Sequence, residues 1–432
     1  MKTTLEAWIA QQYKIAAHRL LAAVSPIGLT YRRAPFDQTM TVREGAVLAS
    51  TVPGAYNPDP DYFFHWLRDS AIVMDAVCVL AEDGAIANGP GLIDQFVRFS
   101  LGLNALDGAG IAQWDRSRVA STHVQFLRPP AELAALRGDA VPAEARFNPD
   151  GTLDILLWAR PQHDGPALRA LTLLRAWPLM PEGRRADMTA LLLQDLAFVE
   201  RQWDRPSFDI WEEDLGTHYY TQLVQAAALK DGSLWLALLE DDDSAQRLSA
   251  AAEKAFDGLE AFWDPVRKSL RAHLGPETDK DLDSAVLLGV LHAARAAGPH
   301  SAADSRVEAT LDRLAEMFAA ELPINHAHQG APALGRYRTD AYYGGGAWYI
   351  ATLAAAELHF ELAAARSGNE AKRHLERGDA FLETVRAFTP EDGALSEQID
   401  RVSGAQLSAK HLTWSYAGFI TAHTARKKAL SS

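Results

Sequence analysis

The stretch "ADMTALLLQDLAFVERQW", residues 186–203, decides the fold class. Met188, Leu192, Leu196, Val199 and Trp203 return every three to four residues with charges between them, so they share one face of an α-helix. Val307, Leu311, Leu314 and Phe318 repeat the pattern. Strand-like alternation is scarce. Loops rich in Pro, Gly, Asp and Asn, such as "STVPGAYNPDPD" (50–61), "RFNPDGT" (146–152) and "FTPEDGALS" (388–396), separate the helical segments. The chain reads as all-α, with roughly a dozen helices from end to end.

No low-complexity linker or block of like charge divides the 432 residues, so one domain over 1–432 is expected. Hydrophobic residues make up 48%, enough for a large globular core. The net charge of −14 argues against nucleic acid and anionic membranes as partners, because both repel an acidic surface. A neutral ligand fits better, and nothing in the composition specifies an oligomer. The single cysteine, Cys78, can form no internal disulfide, and no N-x-S/T sequon occurs. At the N-terminus Leu5, Trp8, Ile9, Ala16 and Leu20 trace a helix face behind a Thr3/Glu6 capping box, in place of the apolar core of a signal peptide. No apolar run is long enough to span a membrane. A cytoplasmic protein is expected.

The unusual residues sit at helix junctions, in five clusters: "DYFFHWLRDSA" (61–71), "WARPQHDGPALRA" (158–170), "FDIWEEDLG" (208–216), "GRYRTDAYYGGGAWY" (335–349) and "GALSEQIDRVSGAQLSAKHLTWSYA" (393–417). Each joins Trp or Tyr to Asp, Glu or Arg. That combination suits a sugar, whose C–H face lies on an aromatic ring while its hydroxyls need charged or polar partners. Trp66, Arg68, Asp69, Trp158, Arg160, Trp211, Arg336 and Trp348 are the candidates. Glu212 and Glu213 are adjacent and diverge by about 100° on a helix or turn, so only one can act at a given point. A second carboxylate for a hydrolytic pair comes from Glu397 or, in the same segment, Asp400. Zinc, disulfide-exchange, serine-hydrolase and P-loop signatures are missing, and His65, His163 and His218 read as local hydrogen-bonding residues. "EDDDSAQR" (240–247), the nearest approach to the D-D-x-x-D cluster of an isoprenoid-type transferase, reads as a helix cap.

These clusters, in this order, resemble the glucoamylase catalytic domain of glycoside hydrolase family 15. The matching stretches are "PDYFFHWLRDS", "RFNPDGT" with "RPQ" and "DGPALRA", "FDIWEED", "YYGG", and "LSEQ" with "QLSAK" and "LTWSYA". The resemblance implies an (α/α)6 barrel that releases glucose from non-reducing ends with inversion, using no metal or organic cofactor. It implies Glu212 as general acid and Glu397 as general base, separated by roughly 6.5–9.5 Å to admit a water. Arg68 and Asp69 would grip the terminal glucose, with Tyr62 and Trp66 lining its pocket. Trp158 would stack near the acid. Arg160, Glu213, Arg336 and Trp348 would bind around the first two sugars, Ser408 would hydrogen-bond the base, and Asp209 and Glu213 would place negative charge beside Glu212 and Trp211.

The chain departs from the family at Leu215, at Thr339, at Gly344–Gly346 and over 115–145. All of these flank positions that would receive the leaving group, not the terminal glucose. They imply a shifted preference among short soluble α-glucosides, with weak gain from longer chains, and no starch-binding module is expected. An α-1,4 enzyme leads, an α-1,6-specific glucohydrolase or a trehalase follows, and a catalytically silent sugar-binding barrel is the reading from another class.

Overall fold

The computed structural model describes residues 4–54, 59–327 and 330–432. Fourteen α-helices lie among the described residues, two of them only five residues long, at Pro130–Ala134 and Pro323–Ala327. The other twelve alternate between two kinds. Helices α1 (Leu5–Leu21), α3 (Gly89–Asn104), α5 (Arg185–Gln202), α7 (Asp242–Leu259), α9 (Ser305–Glu321) and α11 (Gly368–Phe388) bury one stripe each. In α7 that stripe is Ala245, Leu248, Ala252, Ala255 and Leu259, the spacing of a single helix face.

Helices α2 (Leu67–Glu82), α4 (Asp164–Ala176), α6 (Tyr219–Leu238), α8 (Ala285–Ala293), α10 (Tyr349–Ala365) and α12 (Thr413–Ser431) are buried nearly all round. In α10 every residue from Tyr349 to Ala356 is buried. A helix apolar on all sides belongs inside, and these six pack in sequence and close back from α12 onto α2. The one-striped helices pack outside them. The result is an inner ring of six helices within an outer layer of six.

The stripe at 186–203 forms as expected: Met188, Leu192, Leu196 and Val199 are buried on α5, and the Trp203 amide closes the helix onto the Val199 carbonyl at 3.0 Å. Truncating Leu192 or Leu196 to Ala removes a fully packed side chain, costing about 2–5 kcal/mol. At the N-terminus Thr4 accepts the Ala7 amide at 3.3 Å, and Thr3 of the expected Thr3/Glu6 box lies outside the described residues.

Five of the six inner helices, all but α8, begin in or just after one of the junction clusters. Short antiparallel pairs brace these junctions: His65–Trp66 on Arg146–Phe147, Ser207–Phe208 on Leu215–His218, and Ala347–Trp348 on Gln398–Ile399. Gly165 lets the starts of α2 and α4 close together, because a Cβ there would lie 2.6 Å from the Leu67 Cβ. That approach sets Arg68 against Asp164, Nη1 to Oδ2 at 2.8 Å.

Candidate active site

Glu212 sits in the turn between the strands Ser207–Phe208 and Leu215–His218, with its backbone in the left-handed region at φ +66. For a residue with a Cβ this costs about 1 kcal/mol or more, so the surroundings must hold it. They do. Asp209 Oδ1 accepts the amides of Glu213 at 2.7 Å and Asp214 at 2.9 Å, and Trp211 Nε1 donates to both oxygens of buried Asp283 at 2.9 Å.

Four donors converge on the Glu212 side chain. Trp66 Nε1 (2.9 Å), Gln162 Nε2 (2.9 Å) and Arg68 Nη2 (3.1 Å) reach Oε1, and Trp158 Nε1 reaches Oε2 at 2.5 Å. Arg68 and Asp69 stand on the first turn of α2, and Arg68 is fixed by Gln162 and Asp164. Burial raises the Asp69 carboxyl to about 7, against the pull of Arg68 and with the added repulsion of Glu212.

Across the pocket, Glu397 leads into the strand Gln398–Ile399, its amide bonded to the Ala409 carbonyl at 2.9 Å. Ser408 Oγ donates to its Oε2. Burial pushes the Glu397 carboxyl up to about 7, although Ser408, Tyr62 and Arg336 favour the ionised form. Asp400, its rival in the sequence, spends Oδ1 on the amides of Val402 and Ser403 in an exposed turn. Glu397 is the carboxylate delivered to the pocket.

The third carboxylate, Glu213, meets Arg336 Nη2 at 2.9 Å, Lys280 Nζ at 2.8 Å and the Tyr337 hydroxyl at 2.5 Å. Burial opposes its ionisation, but Arg336, Lys280 and Tyr337 outweigh that and hold the carboxyl below its usual range. Arg336 is buried among rings, 5.1 Å from the Trp348 centroid and 5.6 Å from that of Trp211.

Together these groups enclose a pocket of about 250 Å³. Eleven of the residues singled out from the sequence line it: Tyr62, Trp66, Arg68, Asp69, Trp158, Trp211, Glu212, Glu213, Arg336, Trp348 and Glu397. Two buried donors on its lining residues, Arg68 Nε and Trp348 Nε1, make no hydrogen bond to the protein, although Arg68 Nε lies 3.9 Å from the Asp69 carboxylate. Ile210, Tyr342, Leu412 and Trp414 also line it and were missed. All four stand inside the quoted clusters, but apolar and aromatic residues there read equally as core.

Two assignments change. Arg160 is not on the pocket: it donates to Glu144 at 2.6 Å and Asp154 at 3.0 Å, so its guanidinium is committed to protein carboxylates. Asp209 is not on the pocket either and spends its carboxylate on the backbone of the catalytic turn, whereas Glu213 lines the pocket with its carboxylate paired to Arg336, Lys280 and Tyr337. Ser408 lies behind Glu397, as expected, rather than on the pocket wall.

His65 accepts the Val47 amide, His218 meets the Asp214 carbonyl, and neither these nor His163 lines the pocket. Asp241 caps α7 through the Ser244 amide at 3.2 Å, as "EDDDSAQR" suggested. A larger cavity of about 590 Å³ lies toward the other ends of the inner helices, around Asp75, Arg175 and Glu357. It borders the smaller pocket only at Trp414 and contains neither Glu212 nor Glu397, so the chemistry belongs to the smaller one.

A family model described as glycosyl hydrolases family 15 matches residues 38–98 and 143–424. The chain belongs to this family. It is a glycoside hydrolase, and residues 99–142 fall outside the matched segments. A probable glucoamylase of Schizosaccharomyces pombe is 27% identical over 98% of this chain and 92% of its own length. A glucoamylase of Blastobotrys adeninivorans is 27% identical over 89% of this chain and 68% of that protein. Among solved structures, the family 15 glucoamylase of Hypocrea jecorina superposes with a TM-score of 0.82 at 26% identity, covering 98% of this chain and 72% of that one. The Saccharomycopsis fibuligera glucoamylase, at 24% identity and TM-score 0.82, covers 99% and 96% and shares the fold. The ring of six helices inside six is thus the (α/α)6 barrel of the family 15 glucoamylases.

Proposed function

We propose that this hydrolase is an exo-acting, inverting α-glucosidase of glucoamylase type, cleaving glucose from the non-reducing ends of soluble α-1,4-linked malto-oligosaccharides. The observation that carries the reading is one small pocket holding both Glu212 and Glu397, walled by Trp66, Trp158, Trp211 and Trp348. Its volume is below the roughly 300–1,000 Å³ of drug-sized sites, which suits a single terminal sugar better than the middle of a chain.

Arg68 and Asp69 take the outer hydroxyls of that sugar. Three donors occupy Glu212 Oε1, so the transferable proton belongs on Oε2, whose partner is Trp158. From there it passes to the glycosidic oxygen as the bond to the anomeric carbon breaks. Glu397, anchored through Oε2 by Ser408, uses Oε1 to take a proton from the water that attacks the opposite face of the ring. The acid recovers its proton from solvent and the base releases the one it took, so no covalent sugar forms on the enzyme.

The test is glucose release from maltose, maltotetraose, isomaltose and trehalose. The reading requires the highest kcat/KM on an α-1,4 substrate. Turnover confined to isomaltose or trehalose would move the assignment to another linkage, and no turnover on any of the four would overturn it.

A further inference from the structure

The cavity of about 590 Å³ has no part in the hydrolysis described above, yet it has the size of a small-molecule site, roughly 300–1,000 Å³. Five inner helices wall it: α2, α4, α8, α10 and α12. Along α10, Ile350, Ala354, Glu357 and Glu361 recur at helical spacing on the face turned to the cavity, in that order away from the catalytic pocket. Much of the wall is hydrocarbon, from Leu168, Leu288 and Ile350. Small side chains such as Ala354 and Ala417 leave the space open. The rings of His292 and Trp414, centroids 5.9 Å apart, stand at the end nearest the pocket.

Six charged side chains also face this cavity, and five of them are paired. Arg175 binds Asp75, Lys428 Nζ meets Glu361 at 2.7 Å, and Arg295 Nη1 meets Asp231, just outside the wall, at 2.7 Å. The Lys428 side chain is 60% exposed, so its pair with Glu361 marks the mouth. Glu357, one turn deeper, has no ion-pair partner among the described residues. Its only hydrogen bond comes from the Thr421 hydroxyl at 2.5 Å. Burial pushes its carboxyl up to about 8, against the pull of Thr421 and with repulsion from Glu361 and Asp75. Neighbouring His292 supplies no charge, because burial and nearby Arg175 hold it down to about 3. A carboxyl in such a place either keeps its proton or is matched by a cation.

We propose that this cavity is a second ligand site, taking a small organic cation: a protonated primary amine whose ammonium group pairs with Glu357 while its apolar body lies deeper, toward Ile350 and Trp414. The charge balance favours a cation, since Asp75, Glu357, Glu361 and Asp231 face only Arg175, Arg295 and Lys428. The hydrocarbon wall favours an organic one. Among the described residues no group of three or more His, Cys, Asp or Glu side chains could hold a metal ion. The site contains neither Glu212 nor Glu397, and it stands whatever substrate the catalytic pocket takes.

The experiment is calorimetric titration of cyclohexylammonium at neutral pH into the wild type, Glu357→Gln and Glu212→Gln, with cyclohexanol as the uncharged control. The proposal expects saturable binding to the wild type and weaker binding of cyclohexanol. Glu357→Gln keeps the size of the side chain and its Thr421 contact but not the charge, so it should weaken the amine by about tenfold or more. Glu212→Gln should bind as the wild type does. A second readout needs no variant: a carboxyl near 8 must give up its proton to receive the cation, so binding should release protons, seen as different heats in buffers of different ionisation enthalpy. No binding to the wild type, equal binding of cyclohexanol or by Glu357→Gln, or heats independent of buffer would overturn the site. Loss of binding in Glu212→Gln would overturn it too, by placing the amine in the catalytic pocket.

Discussion

The two sides of the pocket are built differently. The inner side, where the terminal glucose belongs, consists of residues at the starts of inner helices or on strands pinned to them: Trp66, Arg68 and Asp69 at α2, Gln162 beside α4, Glu397 before α10's partner strand. Their side chains are buried and tied to one another. The outer side is made of segments outside the helices: Glu213, in the turn after Trp211, with half-buried Lys280 and the Tyr337 hydroxyl bonded to it. Recognition of a chain end thus rests on the rigid ring, and discrimination among leaving groups rests on loops that can change without disturbing it.

If that division holds, damage to the inner side should depress every substrate, and damage to the outer side should only re-sort them. The largest effect is expected at the carboxylates. Glu212→Gln and Glu397→Gln should each lower kcat by about 10² or more with the fold intact by circular dichroism. Near-normal turnover in either would remove that residue from the mechanism. Next comes the glucose grip: Arg68→Ala or Asp69→Ala should reduce kcat/KM on maltose, isomaltose and maltotetraose by similar factors. A loss confined to one linkage would break the comparison.

A smaller effect follows on the outer side. Lys280 bridges Glu213 (2.8 Å) and Asp214 (2.5 Å), so Lys280→Met should free Glu213 to move and alter the ratio of maltose to isomaltose efficiency by about three- to tenfold. The change should appear chiefly in KM. An unaltered ratio would leave Lys280 without influence on the leaving group.

The smallest predicted change sharpens the inner side through pH. A general base works ionised. With burial placing Glu397 near 7, and Asp69 near 7 as well, kcat/KM should fall as pH drops through that range. Ser408 lowers the Glu397 value by hydrogen-bonding its ionised form, so Ser408→Ala should move this limb to higher pH. The variant should lose more activity at pH 6 than at pH 8. Equal losses at both would show that Ser408 acts otherwise.

Much of this was legible in the sequence, for identifiable reasons. The outer helices show single stripes, so periodicity finds them. The inner helices, such as α10 with its unbroken buried run, have no polar face to mark an orientation, and the closure of the ring depends on contacts between distant segments. Pocket residues were legible where charge and aromatic rings share a motif. Arg160 and Asp209 were misplaced because a charged side chain in such a motif can serve another protein group as readily as a sugar. Lys280 and Asp283 stood outside every quoted cluster, and only the fold brings them to Trp211 and Glu213.

The central claim is that Glu212 and Glu397 perform a single displacement by water on a terminal α-glucoside. The most direct measurement is the anomeric form of the first glucose released from maltotetraose, followed by proton NMR before mutarotation. The account predicts β-glucose at the earliest times, decaying toward the equilibrium mixture. Initial α-glucose would mean retention, a covalent intermediate and a different role for one of the two carboxylates.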